Sequence, residues 1–280
     1  MAFLKEFQKP SITRNYAPHE SGAPIIEAQQ LRVSYEAVHA LDDLTFRLQP
    51  GERVAVVGPN GAGKSTLFKV IAGVLPPTSG LLHISGHGPG GHICIAYLQQ
   101  RSQVDWNFPV TVAEVVMMGR IGKLGLFRRP KARDWELVRA SLDTVGLSEL
   151  AGRQIGELSG GQQQRMFIAR ALAQEAEIVL MDEPLTGLDV NSQEKIFQIL
   201  DELQHRGVTV LVAIHDLNLA SERFERVMLL NRRLIGLGAP EEVLSPARLL
   251  EAYGGKLHLV PGDEGLLALE DTCCGEGHRH

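Results

Sequence analysis

Cysteine is scarce in this sequence, with three in 280 residues, Cys94, Cys273 and Cys274. Two of these are adjacent and could bridge only with strain, so there is no disulfide framework and a reducing compartment fits. Long apolar runs are missing too. Stretches such as residues 178–181 and 208–214 fall far below the roughly 20 residues a helix needs to cross a bilayer. The chain is therefore expected not to span a membrane. Excess positive charge is also absent: 28 Lys and Arg face 33 Asp and Glu, for a formal net charge of -5. Such a balance gives no field to gather phosphate backbones and argues against nucleic acid as a partner. The first ten residues mix Lys5, Glu6 and Lys9 with isolated apolar residues and lack the continuous core of a secretory leader. Residence in the cytosol is expected. No internal repeat is evident. What remains is a chain long enough to bury one large α/β domain or two small ones.

Residues 1–23 carry Pro10, Pro18, Ser21 and Gly22 without sustained periodicity and are expected to form a flexible arm. Two β-like stretches, residues 25–34 and 44–48, precede the apolar run 53–57, which ends at a glycine and reads as a buried strand. Residues 64–72 then place Leu67, Phe68, Val70 and Ile71 at helical spacing, with Gly73, Pro76 and Pro77 as the stop. Farther along, a helix over 165–174, a strand over 178–181, a helix over 192–204 and a strand over 208–214 alternate. Alternation of this kind predicts a mainly parallel sheet covered by helices on both faces. Residues 112–118 and 135–145 read as helices without a strand between them, giving a helical insertion over about 102–165. The structured domain is expected over 24–250, and residues 251–280 form a C-terminal extension, largely a flexible tail, because its end is polar with interspersed glycine and histidine.

Gly58, Pro59, Asn60, Gly61, Ala62, Gly63, Lys64 and Ser65, followed by Thr66, fit G-x-x-x-x-G-K-[ST] between a predicted strand and a predicted helix. Glycines there let consecutive N–H groups turn onto phosphate oxygens, and the helix N-terminus adds partial positive charge. Lys64 supplies a full charge to the β- and γ-phosphates. Ser65 is placed to give its hydroxyl to Mg2+, a hard ion that prefers oxygen. The apolar run 178–181 ends in Asp182 and Glu183. In a P-loop fold that strand brings Asp182 to the metal, usually through water, and Glu183 toward the γ-phosphate, where a carboxylate can polarise the attacking water.

Residues 158–165, Leu-Ser-Gly-Gly-Gln-Gln-Gln-Arg, resemble the signature of the ABC ATPase family and lie between the phosphate loop and the Asp182 strand, as in that family. The resemblance covers about residues 25–245. It implies an α/β P-loop NTPase core with a mainly parallel sheet, an antiparallel β subdomain and a helical subdomain. It also implies that Tyr35 stacks on adenine, that Gln100 reaches Mg2+ from the Q-loop, and that His215 is the switch histidine contacting the γ-phosphate. Residues 185–189 resemble the D-loop, with Gly187 where alanine is frequent, and Gln99 stands where proline is common. Ser159, Gly160, Gly161 and Gln162 open a helix that, in the family, caps the nucleotide of a second subunit. Mg-ATP as the bound cofactor form, a homodimer, an integral membrane permease, indirect coupling to a solute-binding protein and a place on the cytoplasmic face of the membrane follow from the resemblance.

Residues 97–120 look like the manganese/zinc/iron importer branch, with manganese first, zinc second and iron-type cargo third. The surface between Q-loop and helical insertion receives a permease helix in this family, which singles out Trp106, Phe108 and Met117 as candidate groove residues. A non-transport ABC ATPase of DNA repair or translation is the alternative. Such proteins usually bring two ATPase units, a long coiled coil or a zinc insertion. A module that only senses ATP would lack Glu183 or His215. His83, His87 and His92, and the cluster Cys273, Cys274, His278 and His280, could attract soft or borderline metals but lack the spacing of a closed zinc site. No metal ligand is assigned to them.

Overall fold

The computed structural model describes residues 22–36, 38–88, 94–99, 104–124, 129–254, 257–262 and 265–270. Most of the expected N-terminal arm, Gln100, His92 and the Cys/His cluster of the last ten residues lie outside them.

An antiparallel sheet is built from β1 (Ile26–Tyr35), β2 (Val38–Leu48) and, after β3 (Arg53–Val57) and α1 (Lys64–Ile71), β4 (Ser79–Ile84), in the order β2-β1-β4. Strand β1 buries Ile26 and Ala28, then Leu31 and Val33. That phase break coincides with a register shift between Ala28 and Leu31 and with Gln30 at φ 49°. One extra residue therefore keeps both apolar pairs on the inner face. Strand β2 starts at Val38, six residues before the expected 44. The same device hides it: Asp42 and Asp43 interrupt the alternation between Leu41 and Leu44, and Asp43 turns left-handed at φ 59°.

A second sheet has the order β5-β6-β7-β3-β8-β9. It comprises β5 (Ile95–Leu98), β6 (Ile178–Asp182), β7 (Thr209–Ala213), β8 (Arg226–Asn231) and β9 (Arg233–Gly238) in addition to β3. All pairs are parallel except β8 with β9. Strands β8 and β9 are additional to the sequence expectation. The central strands are apolar on both faces because both faces are covered. On one face Val54, Val56, Leu180, Leu211 and Ala213 pack with Leu67, Phe68 and Ile71 of α1 and with the inner face of the antiparallel sheet.

The opposite face carries Val57, Val179, Met181 and Val212. They pack against α2 (Val112–Met118), α4 (Ala132–Thr144), α5 (Gly160–Ala173) and α6 (Val190–His205). The short helix α3 (Ile121–Leu124) joins α2 to α4, and two 3-10 turns, Ser148–Leu150 and Ile155–Glu157, lead into α5. Helix α5 begins at Gly160, where the family resemblance opens a helix and five residues before the start read from the apolar pattern, because Ser159 caps it. The expected edge of the helical insertion thus falls inside one helix. Helices α7 (Leu217–Arg223), α8 (Pro240–Val243) and α9 (Pro246–Tyr253) complete the packed part, α9 running past 250. Within the expected tail, β10 (Leu257–Gly262) and β11 (Gly265–Glu270) pair antiparallel. No helix among the described residues is long and apolar enough to cross a membrane.

Arg120 fastens the helical part. Its side chain is buried, and it donates to Asp134 Oδ1 at 3.2 Å, the Ala173 carbonyl at 2.9 Å and Glu175 Oε2 at 2.6 Å. Replacing Arg120 by Ala leaves the buried Asp134 carboxylate with the Lys131 N–H alone, and about 1–3 kcal/mol of stability is expected to disappear in urea unfolding. The Lys131 N–H, and then Arg120, hold the Asp134 carboxyl below the usual carboxylate range. A depressed folded pKa contributes stability that is present above the unfolded value of 3.8 and lost as pH falls through the folded one. The Asp134→Asn protein is therefore expected to lose less stability than the parent when both are unfolded at successively lower pH in the acid range.

Candidate active site

The phosphate-type loop leaves β3 at Val57 and is walled on two sides. A Cβ on Gly58 would lie 2.0 Å from the Leu230 carbonyl oxygen, and one on Gly63 2.5 Å from that of Ala40. Gly63 also takes φ 97°, a region that only glycine enters at little cost. The turn after β8 clasps the loop from outside: Arg232 N–H donates to the Ala62 carbonyl at 2.8 Å, and Asp42 N–H to the Arg232 carbonyl at 2.7 Å. Gly63 brings no side-chain cap to α1, and the first N–H groups of a helix have no intrahelical acceptor. Ser65 and Thr66 stand in that first turn. Lys64 is buried, and its Nζ donates to the carbonyls of Gly58 at 2.5 Å and Pro59 at 3.3 Å.

Sheet register brings the carboxylates beside this loop. Asp182 pairs with Ala213, and Ala213 pairs with Val56 on its other side. Two strand spacings, about 10 Å, thus separate Asp182 from the strand that carries the loop. By alternation Asp182 shares the face of Ile178 and Leu180, the one packed on α1. Asp182 is buried. One oxygen accepts from the Tyr97 hydroxyl at 3.3 Å, and no hydrogen-bond partner reaches the other, Oδ1, among the described residues. A buried, half-satisfied carboxylate on the sheet face that α1 covers is an oxygen donor that suits a hard divalent cation such as Mg2+.

Glu183 follows in a left-handed conformation at φ 52°, which costs about 1–3 kcal/mol for a residue with a side chain. Its N–H donates to the Ala213 carbonyl at 3.1 Å, which holds the turn. The turn aims Glu183 across the end of β7, where His215 Nε2–H donates to Glu183 Oε1 at 2.5 Å. Tyr35, at the end of β1, leaves its ring half exposed, as an aromatic platform requires. A groove lined by His39, Asp42, Asn60, Gly61, Asn231, Arg232 and Arg233 opens beside the loop. Sequence reading missed His39, Arg232 and Tyr97. Of these only Tyr97 lay within a stretch singled out from sequence, residues 97–120, where it was given no role.

Ser159 and Gln162 form a reciprocal cap: Gln162 N–H donates to Ser159 Oγ at 3.4 Å, and Ser159 N–H to Gln162 Oε1 at 2.8 Å. Helix α5 packs on the sheet face opposite α1. Gly160 and Gly161 open the helix. A Cβ on Gly161 would fall 2.5 Å from Ser192 Oγ, whose hydroxyl donates to Asp189 at 2.7 Å, and Asp189 caps α6. Gly161→Ala is expected to displace Ser192 and loosen that cap, at a cost of about 1–2 kcal/mol in chemical unfolding. Gly187 in the same D-loop-like turn sits at φ 72°, so an alanine there would be strained. Of the proposed groove residues, Phe108 is exposed, Trp106 packs edge-on against Phe167 at 5.9 Å, and Met117 is buried in the core. Met117 is thus core and not groove. Met118 and Ile121 are the exposed apolar residues nearby. His83 lies within β4, and His87 closes a tight backbone turn with Ile84.

Comparison with known proteins agrees with this fold. The profile described as ABC transporter matches residues 41–186. The manganese transport system ATP-binding protein MntB of Bacillus subtilis is 42% identical over 255 residues, 91% of this chain and 98% of that protein. The zinc transport system ATP-binding protein TroB of Treponema pallidum is 43% identical over 233 residues, 83% of this chain and 90% of that one. Among solved structures, a dimeric ATP-binding cassette in a post-hydrolysis state, bound to ADP and Pi, superposes with a TM-score of 0.67 at 28% identity, covering 77% of this chain and 98% of the other. A glycine loop clasped between two sheets, a carboxylate strand two positions away and this extent of identity together mean that the chain belongs to the ABC transporter family.

Proposed function

We propose that this chain is the ATP-hydrolysing subunit of an importer for a divalent transition metal, manganese before zinc or iron-type cargo, working through a separate membrane permease. The observation that carries the reading is the Glu183–His215 pair, set beside Asp182 at the strand ends that flank the phosphate loop. Hydrolysis needs a base for water and positive charge for phosphate, and the residues read in these roles follow the C-terminal ends of the central strands β6, β7 and β3.

In this reading the N–H groups of Gly61, Ala62 and Gly63 and the start of α1 receive the phosphates. Asn60 and Pro59 shape the loop's approach. Lys64 exchanges loop carbonyls for phosphate oxygens. Ser65 and Asp182, with Gln100, are the residues that would hold Mg2+, which when bound offsets the charge of the phosphates. Glu183 accepts the proton of the attacking water, and His215 keeps that carboxylate turned toward it. Tyr35 offers its ring to adenine. Because α1 and α5 pack on opposite faces of one sheet, Ser159, Gly160, Gly161 and Gln162 are read as serving the nucleotide of a second copy. ATP then favours the closed pair because it binds that state more tightly, and only this difference moves the permease.

The cargo is tested by deleting the gene in its host and measuring cellular metal and radiolabelled manganese uptake. Reduced manganese with restoration by the intact gene, but not by a Glu183→Gln copy, is the expected result. Unchanged content of manganese, zinc and iron would remove the transport reading.

A further inference from the structure

Tyr97 is the residue of the site that neither the phosphate loop nor the signature explains. It sits in the middle of β5, the edge strand next to β6, where its register partner is Leu180. Its ring meets Phe68 of α1 edge-on, with centroids 6.4 Å apart at 81°. The ring is thereby wedged between the edge of the sheet and the helix that begins at Lys64. From that position its hydroxyl donates to Asp182 Oδ2 at 3.3 Å, leaving Oδ1 without a partner among the described residues.

We infer that Tyr97 is a positioning residue that orients the Asp182 carboxylate, turning one oxygen away so that the other faces the divalent cation. This rests on the reading of Asp182 as a ligand of that ion. A carboxylate rotates about its last side-chain bond with little restraint. One donor fixed to the scaffold narrows that freedom before the ion arrives. At 3.3 Å the contact is long for an O–H···O bond, so it steers the carboxylate and does not clamp it. Because β5 ends just before Gln100, the hydroxyl also ties the metal-side carboxylate to the strand that feeds the Q-loop.

Tyr97→Phe deletes the oxygen and keeps the ring against Phe68. Binding of a fluorescent ATP analogue is titrated with Mg2+ and, separately, in excess chelator; Mn2+ is followed by its electron paramagnetic resonance signal in the presence of a non-hydrolysable ATP analogue. For the phenylalanine protein, chelator-measured affinity is expected to match the parent, while the Mg2+ needed for half-maximal tightening, and the Mn2+ dissociation constant, rise about 10-fold, the lower end for residues that support metal ligands. Asp182→Asn, run in parallel, is expected to shift both values further. Metal dependence unchanged in Tyr97→Phe but shifted in Asp182→Asn overturns the role of Tyr97 and leaves that of Asp182 standing. No shift in either protein removes both. Loss of nucleotide affinity in chelator would assign Tyr97 to the framework and equally overturn the proposal.

Discussion

Replacing Glu183 by Gln is expected to lower ATP turnover by about 10²–10⁴-fold, the range a positioned general base supplies, while ATP binding persists. The amide keeps the shape of the side chain and the contact to His215, which approaches Oε1 at 2.5 Å. It cannot take a proton from water. The strained backbone at φ 52° belongs to residue 183 whatever its side chain, so stability should move by only a few tenths of a kcal/mol. Steady-state phosphate release reads the first effect, and equilibrium binding of a fluorescent nucleotide reads the second. Turnover within a few-fold of the parent would take the role of base away from Glu183. His215→Ala is expected to be milder, since it removes an orienting donor and leaves the carboxylate.

Lys64→Ala carries the second large effect. The Lys64 ammonium is held in a 6%-exposed position by two loop carbonyls, where a charge interacts far more strongly with a phosphate than it would in water. Its removal is expected to weaken Mg-ATP binding by about 10²-fold, consistent with hydrogen bonds to charged groups worth roughly 1.5–3 kcal/mol. Lys64→Arg should not rescue it. The guanidinium is wider and planar, and the slot between Gly58 and the start of α1 accepts a point charge on a thin stem. Isothermal titration with a non-hydrolysable analogue decides the matter, and affinity near the parent's in either variant would contradict this placement of Lys64.

Much of this site was legible because its chemistry is written in consecutive residues. Residues 58–66 announce a phosphate loop by glycine spacing, and residues 178–183 announce a carboxylate at a strand end. What could not be read were contacts set by register across the sheets. Nothing local to Leu230 or Ala40 says that their carbonyls press on Gly58 and Gly63. Tyr97, which sequence marked only as the start of the stretch 97–120, meets Asp182 because β5 pairs with β6. The β2 start was hidden for a different reason: paired aspartates with one left-handed residue broke the two-residue period that marks a strand. Met117 showed the converse limit, since adjacent methionines 117 and 118 are alike in sequence and only helix phase sends one to the core and the other to the surface.

The central claim is that each nucleotide is gripped by the loop of one chain and covered by Ser159 of another. It is tested most directly by light scattering on two proteins saturated with Mg-ATP, Glu183→Gln and the double variant Glu183→Gln with Ser159→Arg. The first should shift from the 30.6 kDa monomer to a dimer. The second should still bind ATP through its own loop, more weakly than the closed pair does, and remain monomeric, because the new cation and bulk stand where the helix start of α5 must meet the phosphate. A monomeric first protein with ATP bound, or a double variant that dimerises as well as the single one, would contradict it.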